Sequence, residues 1–231
     1  MKVSLFFGSF NPIHYGHIAI AESIISGNYA DEVWLVVSPQ NPLKDNVETT
    51  KEKRALDTEN ELKRLSLDKK IKISRIEFDM PTPSYTIDTL NKITTENPNI
   101  EFSIVMGEDN LRAFNRWKDY ETIAKMVKIY VYPRQGNDYK GISELDPEIL
   151  NIKSIEYIKD VNLLNISSSA IREADVLYKK GVAFQEKGEL DKALNEFLLA
   201  QELTPNNTEI NSRIEMIKSI FNFSYKQYIN V

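Results

Sequence analysis

Apolar and polar positions along the first part of the chain follow two alternating patterns. Short apolar runs predict buried strands at residues 3–7, 33–38, 71–78, 101–107 and 127–133, with a weaker one at 154–158. Between them, apolar residues recur at helical spacing and predict helices at residues 17–26, 51–67, 86–96 and 111–125. On the second of these helices the expected buried stripe is Leu56, Leu62 and Leu65. Strands and helices that alternate build βαβ units, so we expect an α/β fold: a Rossmann-like, doubly wound, mostly parallel sheet with helices on both faces.

Three small residues stand directly after predicted strands. They are Gly8, Ser38 and Gly107. Because parallel α/β sheets bind their ligands beyond the carboxyl ends of the strands, we expect these three positions to face one crevice.

The pattern changes after about residue 172. Residues 174–207 contain two helical segments joined at KGEL, and they resemble one tetratricopeptide repeat. The matching positions are Leu177, Gly181, Phe184, Gly188, Ala193, Phe197, Ala200 and Pro205. Gly181 and Ala193 would let two helices approach closely, and Phe184 and Phe197 would fill the space between them. An ordinary helical hairpin with a similar apolar stripe is the alternative.

The remaining residues predict a helix that caps this hairpin. The face expected to be buried is Ile210, Ile214, Ile217 and Phe221. A single repeat cannot bury its own apolar face, so it must pack on this capping helix, on the first domain or on another chain. The extension therefore offers a surface for a protein or peptide partner, or for self-association.

We predict two domains, residues 1–172 and residues 173–231. The junction SSSAIREADVLYKKG has no proline or glycine before Gly181, and its apolar positions continue one stripe. Our hypothesis is therefore a single helix that runs from the first domain into the repeat and couples the two rigidly.

Composition narrows the class of protein. The 231 residues are 42% hydrophobic, which is enough for a real core. The net charge of −5 argues against a protein that coats nucleic acid, although local donors on an acidic protein can still hold an anionic small molecule. There is no cysteine, and no apolar run approaches the ~20 residues of a membrane span. We expect a soluble cytoplasmic protein with no membrane and no nucleic-acid partner.

Both histidines of the chain lie in GSFNPIHYGH, residues 8–17. A strand ends at Gly8, and the free backbone N–H groups of the following helix start favour anions. His14 and His17 can add donors aimed at the same anion. Ordinary structural histidines and a metal pair are the alternatives, but a metal site needs a third ligand, and no HExxH or carboxylate triad accompanies them. We therefore predict no protein-bound metal.

Five segments in order resemble a known family. GSFNPIHYGH resembles the HxGH signature of the nucleotidylyltransferase superfamily, and ISSSAIR (166–172) resembles its second signature. Between them, SPQNPLK (38–44), PSYTIDTL (83–90) and GEDN with the downstream Trp117 are similar to the bacterial nicotinate-nucleotide adenylyltransferases. The resemblance covers residues 1 to about 172.

This resemblance implies adenylyl transfer. The 5′-phosphate of nicotinate mononucleotide would attack the α-phosphorus of ATP, pyrophosphate would leave, and deamido-NAD would form. No covalent enzyme intermediate is implied, so catalysis would consist of positioning and electrostatic stabilisation. Mg²⁺ would accompany ATP and bridge phosphate oxygens.

The resemblance also assigns residues to the phosphates. His14 and His17 would contact the triphosphate and stabilise the pentavalent phosphorus. Lys44 would be a mobile cation that reaches the phosphates, the alternative being a solvated loop lysine. The leaving phosphates would be held by Ser168, Ser169 and Arg172 at a helix start. Simple N-capping is the plain interpretation of the two serines.

The remaining assignments concern the two nucleosides. Gly8, Ser9 and Phe10 would line the nucleotide with backbone. Gly107 and Asp109 would meet the adenosine, although Asp109 could instead cap a helix that starts near Leu111. Arg134 would assist at the nucleotide. The nicotinate carboxylate would meet Ser84, Tyr85 and Thr86, largely through backbone N–H groups. Trp117 would stack on the pyridine ring, the alternative being a core tryptophan.

The chain departs from the family pattern in two places. The first turn reads FGSF, where the family commonly has two glycines. After ISSSAIR the family normally closes with a short helix, a proline-containing turn and a terminal helix, whereas here the repeat begins at once, so we interpret the chain as a fusion. Two alternative functions stay open: an adenylyltransferase for another acceptor such as pantetheine phosphate, and an inert enzyme half that carries a peptide-binding repeat.

Overall fold

A computed structural model describes residues 1–39, 49–133, 149, 152, 154–158 and 167–229, with side chains described as far as residue 222. Two of the predicted site residues, Lys44 and Arg134, lie outside the described residues. The chain divides into two compact units, Met1–Asn165 and Ile166–Val231.

The first unit is built around a parallel sheet. Its described strands are β1 (Lys2–Gly8), β2 (Glu32–Val37), β3 (Ile71–Ser74), β4 (Glu101–Gly107), β5 (Lys128–Tyr132) and β6 (Ile155–Tyr157). Its described helices are α1 (Tyr15–Ser26), α2 (Lys51–Arg64), α3 (Thr86–Glu96), α4 (Glu108–Arg112) and α5 (Tyr120–Met126), with a 3₁₀ turn at Phe114–Arg116. The strand order is β3-β2-β1-β4-β5-β6, and every neighbouring pair is parallel. This is the predicted doubly wound Rossmann-like order.

Apolar side chains on both faces of the sheet make the core. Successive side chains of a strand point to opposite faces, and the two faces carry different helices. On β4, Ile104 packs with Leu90 of α3, whereas the next residue, Val105, packs in the cluster that holds Ile24 of α1 and Leu62 of α2. The prediction of helices on both faces is therefore confirmed.

The direction of chain winding reverses between β1 and β4. From β1 the chain moves outward through β2 to β3, and it then returns to place β4 on the other side of β1. Phe6 pairs with Val105, so Gly8 and Gly107, each two residues further on, end their strands at the same height. Ser38 N–H donates to the Gly8 carbonyl at 2.9 Å. The predicted common edge is confirmed, and it lies at the switch point where such sheets bind ligands.

Two predictions within the first unit are wrong in part. The strand expected over residues 71–78 ends at Ser74, and Arg75–Phe78 forms a turn. The helix expected over residues 111–125 is interrupted. The chain is extended at Trp117 (φ −75°, ψ 143°) and left-handed at Asp119 (φ 52°), so no helical hydrogen-bond ladder can run through them.

The buried face of α2 also differs from the prediction. Leu56 is 53% exposed, and the buried positions are Arg54, Ala55, Thr58 and Leu62. Arg54, Thr58 and Leu62 follow one another at four-residue steps and so share one face of the helix. Arg54, and not the expected Leu56, thus lies on the buried face of α2. Its hydrogen-bond partners are described below.

The described residues of the second unit form three helices: α6 (Ser168–Glu186), α7 (Leu190–Leu203) and α8 (Thr208–Ile229). Their core contains Ala174, Ala193, Phe197, Ala200, Ile210, Ile214 and Ile217. A Cβ added to Gly181 would lie 2.6 Å from the Phe197 ring, so only glycine permits this approach of α6 to α7. Phe221 is 39% exposed, contrary to the prediction. At 1.5 Å per residue it lies about 20 Å along α8, which is roughly the whole length of α7, so little of the hairpin remains to cover it.

Helix α6 is continuous from the second signature into the hairpin, as predicted. The predicted domain boundary at residue 172 lies within α6. The first compact unit ends earlier in the chain, at Asn165. The rigid coupling of the two domains stays a prediction. Within the described ranges, none of the helices has both the length and the apolar character that crossing a bilayer requires.

Candidate active site

A short loop connects β1 to α1 at the switch point. Phe10 adopts a left-handed backbone conformation (φ 43°), and its ring, 2% exposed, turns back over the end of β1. A Cβ at Gly8 would lie 2.9 Å from the Phe10 ring, so the absence of a side chain at Gly8 makes room for that ring. The Phe10 ring thus belongs to the core, and the predicted role of Gly8, Ser9 and Phe10 through their backbone stays a prediction.

The two imidazoles stand together at the start of α1. His14 is the residue that precedes the helix, and His17 lies in its first turn. Their rings stack with centroids 3.7 Å apart and planes 25° from parallel. The backbone N–H of His14 donates to Nδ1 of His17 at 3.3 Å. Since Nδ1 is the acceptor, Nε2 of a neutral His17 carries the proton and is the donor.

Both imidazoles are neutral at physiological pH. Burial lowers the pKa of His14 to about 4. Burial, with a smaller contribution from the neighbouring His14 charge, lowers the pKa of His17 to about 3. Nδ1 of His14 is buried and has no hydrogen-bond partner among the described residues. The pair therefore offers neutral hydrogen-bonding groups at a helix N-terminus, a setting that suits an anion.

These lowered pKa values predict a pH dependence of stability. Between pH 6.5 and pH 4 the unfolded chain binds protons at both imidazoles that the folded chain does not bind. The free energy of unfolding should therefore fall as the pH falls, by at most about 1.36 kcal/mol per pH unit for each imidazole. In chemical denaturation, the double variant His14→Gln, His17→Gln should show a shallower fall over this range. All carboxylates are unchanged in that variant, so equal slopes for the two proteins would contradict the prediction.

The sequence analysis missed Arg54. It is 2% exposed, and its guanidinium donates to the carbonyls of Ser9, Ser38 and Pro39. Those carbonyls belong to the segments that follow β1 and β2. A signal was present in the sequence, because Arg54 stands four and eight residues before Thr58 and Leu62 and therefore on the buried face of α2.

A buried carboxylate organises the segment PSYTIDTL. Glu77 is 3% exposed and accepts hydrogen bonds from Ser84 Oγ and Thr89 Oγ1, both at 2.8 Å. Burial raises the pKa of Glu77, against the smaller effect of these two hydrogen bonds. The Ser84 hydroxyl is thus engaged with Glu77, which leaves its backbone for the predicted contact. Nothing in the strand-like pattern of residues 71–78 indicated this role for Glu77.

The start of α3 lies beside the segment that contains Trp117. Helix α3 begins at Thr86 after Tyr85. Asp88 and Thr89 N–H donate to the Tyr85 carbonyl, so the N–H groups that precede the first helical hydrogen bond are those of Thr86 and Ile87. Lys118 Nζ lies 3.0 Å from Asp88 Oδ2 and 4.8 Å from the Tyr85 ring centroid. Trp117 is partly buried and meets Phe114 edge-on at 5.5 Å. The structure therefore brings together the two segments predicted to bind the acceptor.

The carboxyl end of β4 leads directly into α4. Gly107 is the residue that caps this helix, and Asp109 is an exposed residue of its first turn. The alternative interpretation of Asp109 as an N-cap is therefore wrong. The preceding Glu108 is buried and pairs with Arg112 at 2.7 Å.

The residues of the second signature lie in the second unit. The N-cap of α6 is Ser167, whose Oγ accepts from Ala170 N at 3.1 Å, so N-capping does not explain Ser168 or Ser169. Arg172 donates to Ser169 Oγ at 3.0 Å. The described part of the chain holds no group of three His, Asp or Glu residues that could bind a metal ion.

Comparison with known proteins agrees with this geometry. A family model described as Cytidylyltransferase-like matches residues 5–174. A "probable nicotinate-nucleotide adenylyltransferase" of Flavobacterium psychrophilum is 41% identical over 186 residues, which cover 79% of this chain and 90% of the relative. A protein of the same name from Cytophaga hutchinsonii is 36% identical over 206 residues, which cover 89% of this chain and 100% of the relative.

A solved structure shows the same fold. It is a Plasmodium falciparum nicotinic acid mononucleotide adenylyltransferase complexed with NaAD, with a TM-score of 0.58 and 23% identity over 75% of this chain and 83% of that chain. The alignment with the Cytophaga protein spans 89% of this chain and so must reach past residue 200, into the second unit. From the family match and the relatives together, the chain belongs to the cytidylyltransferase-like family and, within it, to the nicotinate-nucleotide adenylyltransferases.

Proposed function

We propose that this chain transfers the adenylyl group of ATP to nicotinate mononucleotide, forming deamido-NAD and pyrophosphate for NAD biosynthesis. The observation that carries the proposal is the pair of stacked, neutral imidazoles at the start of α1, placed at the switch point of the parallel sheet. A phosphate oxygen of the acceptor forms a bond to the α-phosphorus of ATP, and the bond from that phosphorus to the bridging oxygen of pyrophosphate breaks.

The imidazoles supply electrostatic stabilisation for this step. Nε2–H of His17 donates to an oxygen of the α-phosphoryl group as its negative charge grows, and His14 hydrogen-bonds the neighbouring phosphate. A neutral donor that is already oriented needs no reorganisation during the reaction. The hydrogen bond from His14 N–H to His17 Nδ1 provides this orientation, because it fixes which nitrogen of His17 holds the proton.

Further contacts to the nucleotide are proposed from the family resemblance. Ser168, Ser169 and Arg172 hold the leaving β- and γ-phosphates, and Lys44 and Arg134 assist. Gly8, Ser9, Phe10, Gly107 and Asp109 meet the nucleotide. Mg²⁺ enters with ATP as part of the substrate.

The acceptor pocket is proposed at the start of α3. The free N–H groups after Tyr85 receive the nicotinate carboxylate, since a helix N-terminus favours an anion. Ser84 contributes through its backbone, and Trp117 stacks on the pyridine ring. The Lys118 ammonium, close to Tyr85, offsets the negative charge of Asp88 in the first turn of the same helix.

One assay tests this function. The protein is mixed with ATP, Mg²⁺ and either nicotinate mononucleotide or its amide, and pyrophosphate is measured. A hydrogen bond to a charged group contributes about 1.5–3 kcal/mol, so we expect kcat/KM to be higher for the acid by about 10- to 150-fold.

Three outcomes would contradict the assignment. Equal use of acid and amide would rule out carboxylate recognition at Tyr85 and Thr86. Turnover of ATP with pantetheine phosphate, and with neither mononucleotide, would favour the alternative acceptor. Absence of pyrophosphate release with every one of these acceptors would favour an inert enzyme half.

For the second unit we propose a tetratricopeptide-like hairpin capped by α8. The close contact of Gly181 with Phe197 supports it, because the repeat places its small and aromatic residues at these offsets. A protein or peptide partner, or self-association through this unit, and a cytoplasmic location stay predictions.

A further inference from the structure

A buried cation lies under the loop that follows β1. Arg54 projects from the first turn of α2, and its Nη1 donates to the Ser9 carbonyl. Its Nη2 donates to the carbonyls of Ser38 at 2.8 Å and Pro39 at 3.1 Å. One planar guanidinium thus joins two separate segments, a task that suits arginine because its donors form a rigid fork.

The segments that it joins leave the sheet at the switch point. Ser9 directly follows Gly8 at the end of β1, and Ser38 follows β2 and donates to the Gly8 carbonyl at 2.9 Å. The loop that starts at Ser9 leads within a few residues to His14 and His17. A change in the position of the Ser9 carbonyl would therefore move the start of the loop that carries both imidazoles.

Among its described neighbours, Arg54 has no carboxylate in ion-pair contact, although Glu52 interacts favourably with its charge without forming an ion pair. Within residues 1–39 and 49–133, no carboxylate forms an ion pair with its guanidinium. Its Nε is buried and has no hydrogen-bond partner there. A buried cation without an ion-pair partner normally costs stability, so its position beneath the proposed triphosphate site indicates a use beyond packing.

We infer that Arg54 is a positioning residue for ATP: by holding the Ser9, Ser38 and Pro39 carbonyls together with a buried positive charge, it fixes the first loop in the shape that binds the triphosphate. The inference rests on the proposed function. The competing interpretation is that Arg54 only stabilises the core of the first unit.

The experiment compares variants on the same helix. Arg54→Met removes the charge and the fork, Arg54→Lys keeps the charge and loses the fork, and Arg64→Met changes an exposed arginine of α2 that pairs with Glu61. For each we would measure kcat, the KM of ATP, the KM of nicotinate mononucleotide, and the melting temperature with and without ATP and Mg²⁺.

If Arg54 positions ATP, its substitution should change the KM of ATP much more than the KM of nicotinate mononucleotide. Because bonds to charged groups contribute about 1.5–3 kcal/mol, the KM of ATP should rise by roughly 10-fold or more in Arg54→Met, and the KM of nicotinate mononucleotide should change by less than about threefold. Arg54→Lys should lie between Arg54→Met and the wild type, and Arg64→Met should match the wild type. Stabilisation by ATP should shrink in the same order.

Other results would overturn the inference. Unchanged KM of ATP in Arg54→Lys, with only a lower melting temperature, would show a purely structural role. If Arg54→Met does not fold, Arg54→Ala with added methylguanidinium replaces it, and failure of the additive to lower the KM of ATP would also overturn the inference. The change in melting temperature on addition of ATP and Mg²⁺ is measured without an acceptor. It therefore tests the role of Arg54 even if nicotinate mononucleotide proves to be the wrong acceptor.

Discussion

Replacement of His17 by alanine should lower kcat by about 100- to 1,000-fold, the usual effect of removing one oriented donor from a charge-stabilising site. The proposed contact of Nε2–H with the α-phosphoryl group strengthens as charge develops on its oxygens. Since this contact belongs to the transition state, kcat and kcat/KM should fall together. Steady-state pyrophosphate release with saturating ATP and nicotinate mononucleotide measures the effect.

Two amide variants make this test specific. The amide nitrogen of glutamine can occupy roughly the position of Nε2, whereas that of asparagine reaches only the position of Nδ1. His17→Gln should therefore retain more activity than His17→Asn or His17→Ala. All three should remain folded, because His17 is only partly buried and its ring meets Phe6 and Phe10 through edge-to-face contacts rather than filling the space between them. Turnover near that of the wild type in His17→Ala would exclude the imidazole from the transition state.

The arrangement of β-strands and helices could be predicted because burial on both faces leaves a simple pattern. Fully buried parallel strands such as residues 101–107 are nearly continuous apolar runs, and their predicted limits agree with β4. The edge strand β3 is different, because only one side of it is covered by a neighbour and the alternation IKISRIEF continues past its end. Alternation alone could not show where pairing stops.

The interruption at residues 113–119 could not be predicted for another reason. The segment has a helical distribution of apolar residues, and its break depends on a left-handed residue, Asp119, that is not glycine. This break places Trp117 and Lys118 beside the start of α3 instead of along a helix. The helical pattern of apolar residues is thus interrupted in the segment that contributes to the proposed acceptor pocket.

Motifs indicated the candidate site, but its supporting residues lay outside the motifs. The spacing of His14 and His17 predicted a shared anion site, and the structure places the two rings side by side, while the anion site itself stays a prediction. Arg54 and Glu77 were missed because charged residues are normally assigned to the surface. Both are buried, and each holds a loop that carries predicted site residues. Their identification needs the three-dimensional partners, which are up to 45 residues distant in sequence.

The prediction with the largest effect on stability concerns Phe197 in the second unit. Its ring is fully buried, lies against Gly181 and is 5.7 Å from the Tyr178 ring centroid. Phe197→Ala should destabilise this unit by about 3–5 kcal/mol, because it removes a large buried side chain from a small core. Leu198→Ala, at a neighbouring position that is 37% exposed, is the matched control and should cost far less. Hydrogen exchange of amides in α6, α7 and α8 measures the change.

Phe197→Ala also tests whether catalysis depends on the hairpin of the second unit. Ser168, Ser169 and Arg172 form the first turns of α6, and the later turns of that helix pack on Phe197 through Gly181. A helix start loses order when its remaining turns lose their tertiary contacts, because most of the stability of a helix in a protein comes from packing of its apolar face. If Arg172 holds the leaving phosphates, Phe197→Ala must lower kcat as well as stability. Full activity in a variant whose α7 and α8 amides exchange freely would show that the second signature does not need the hairpin.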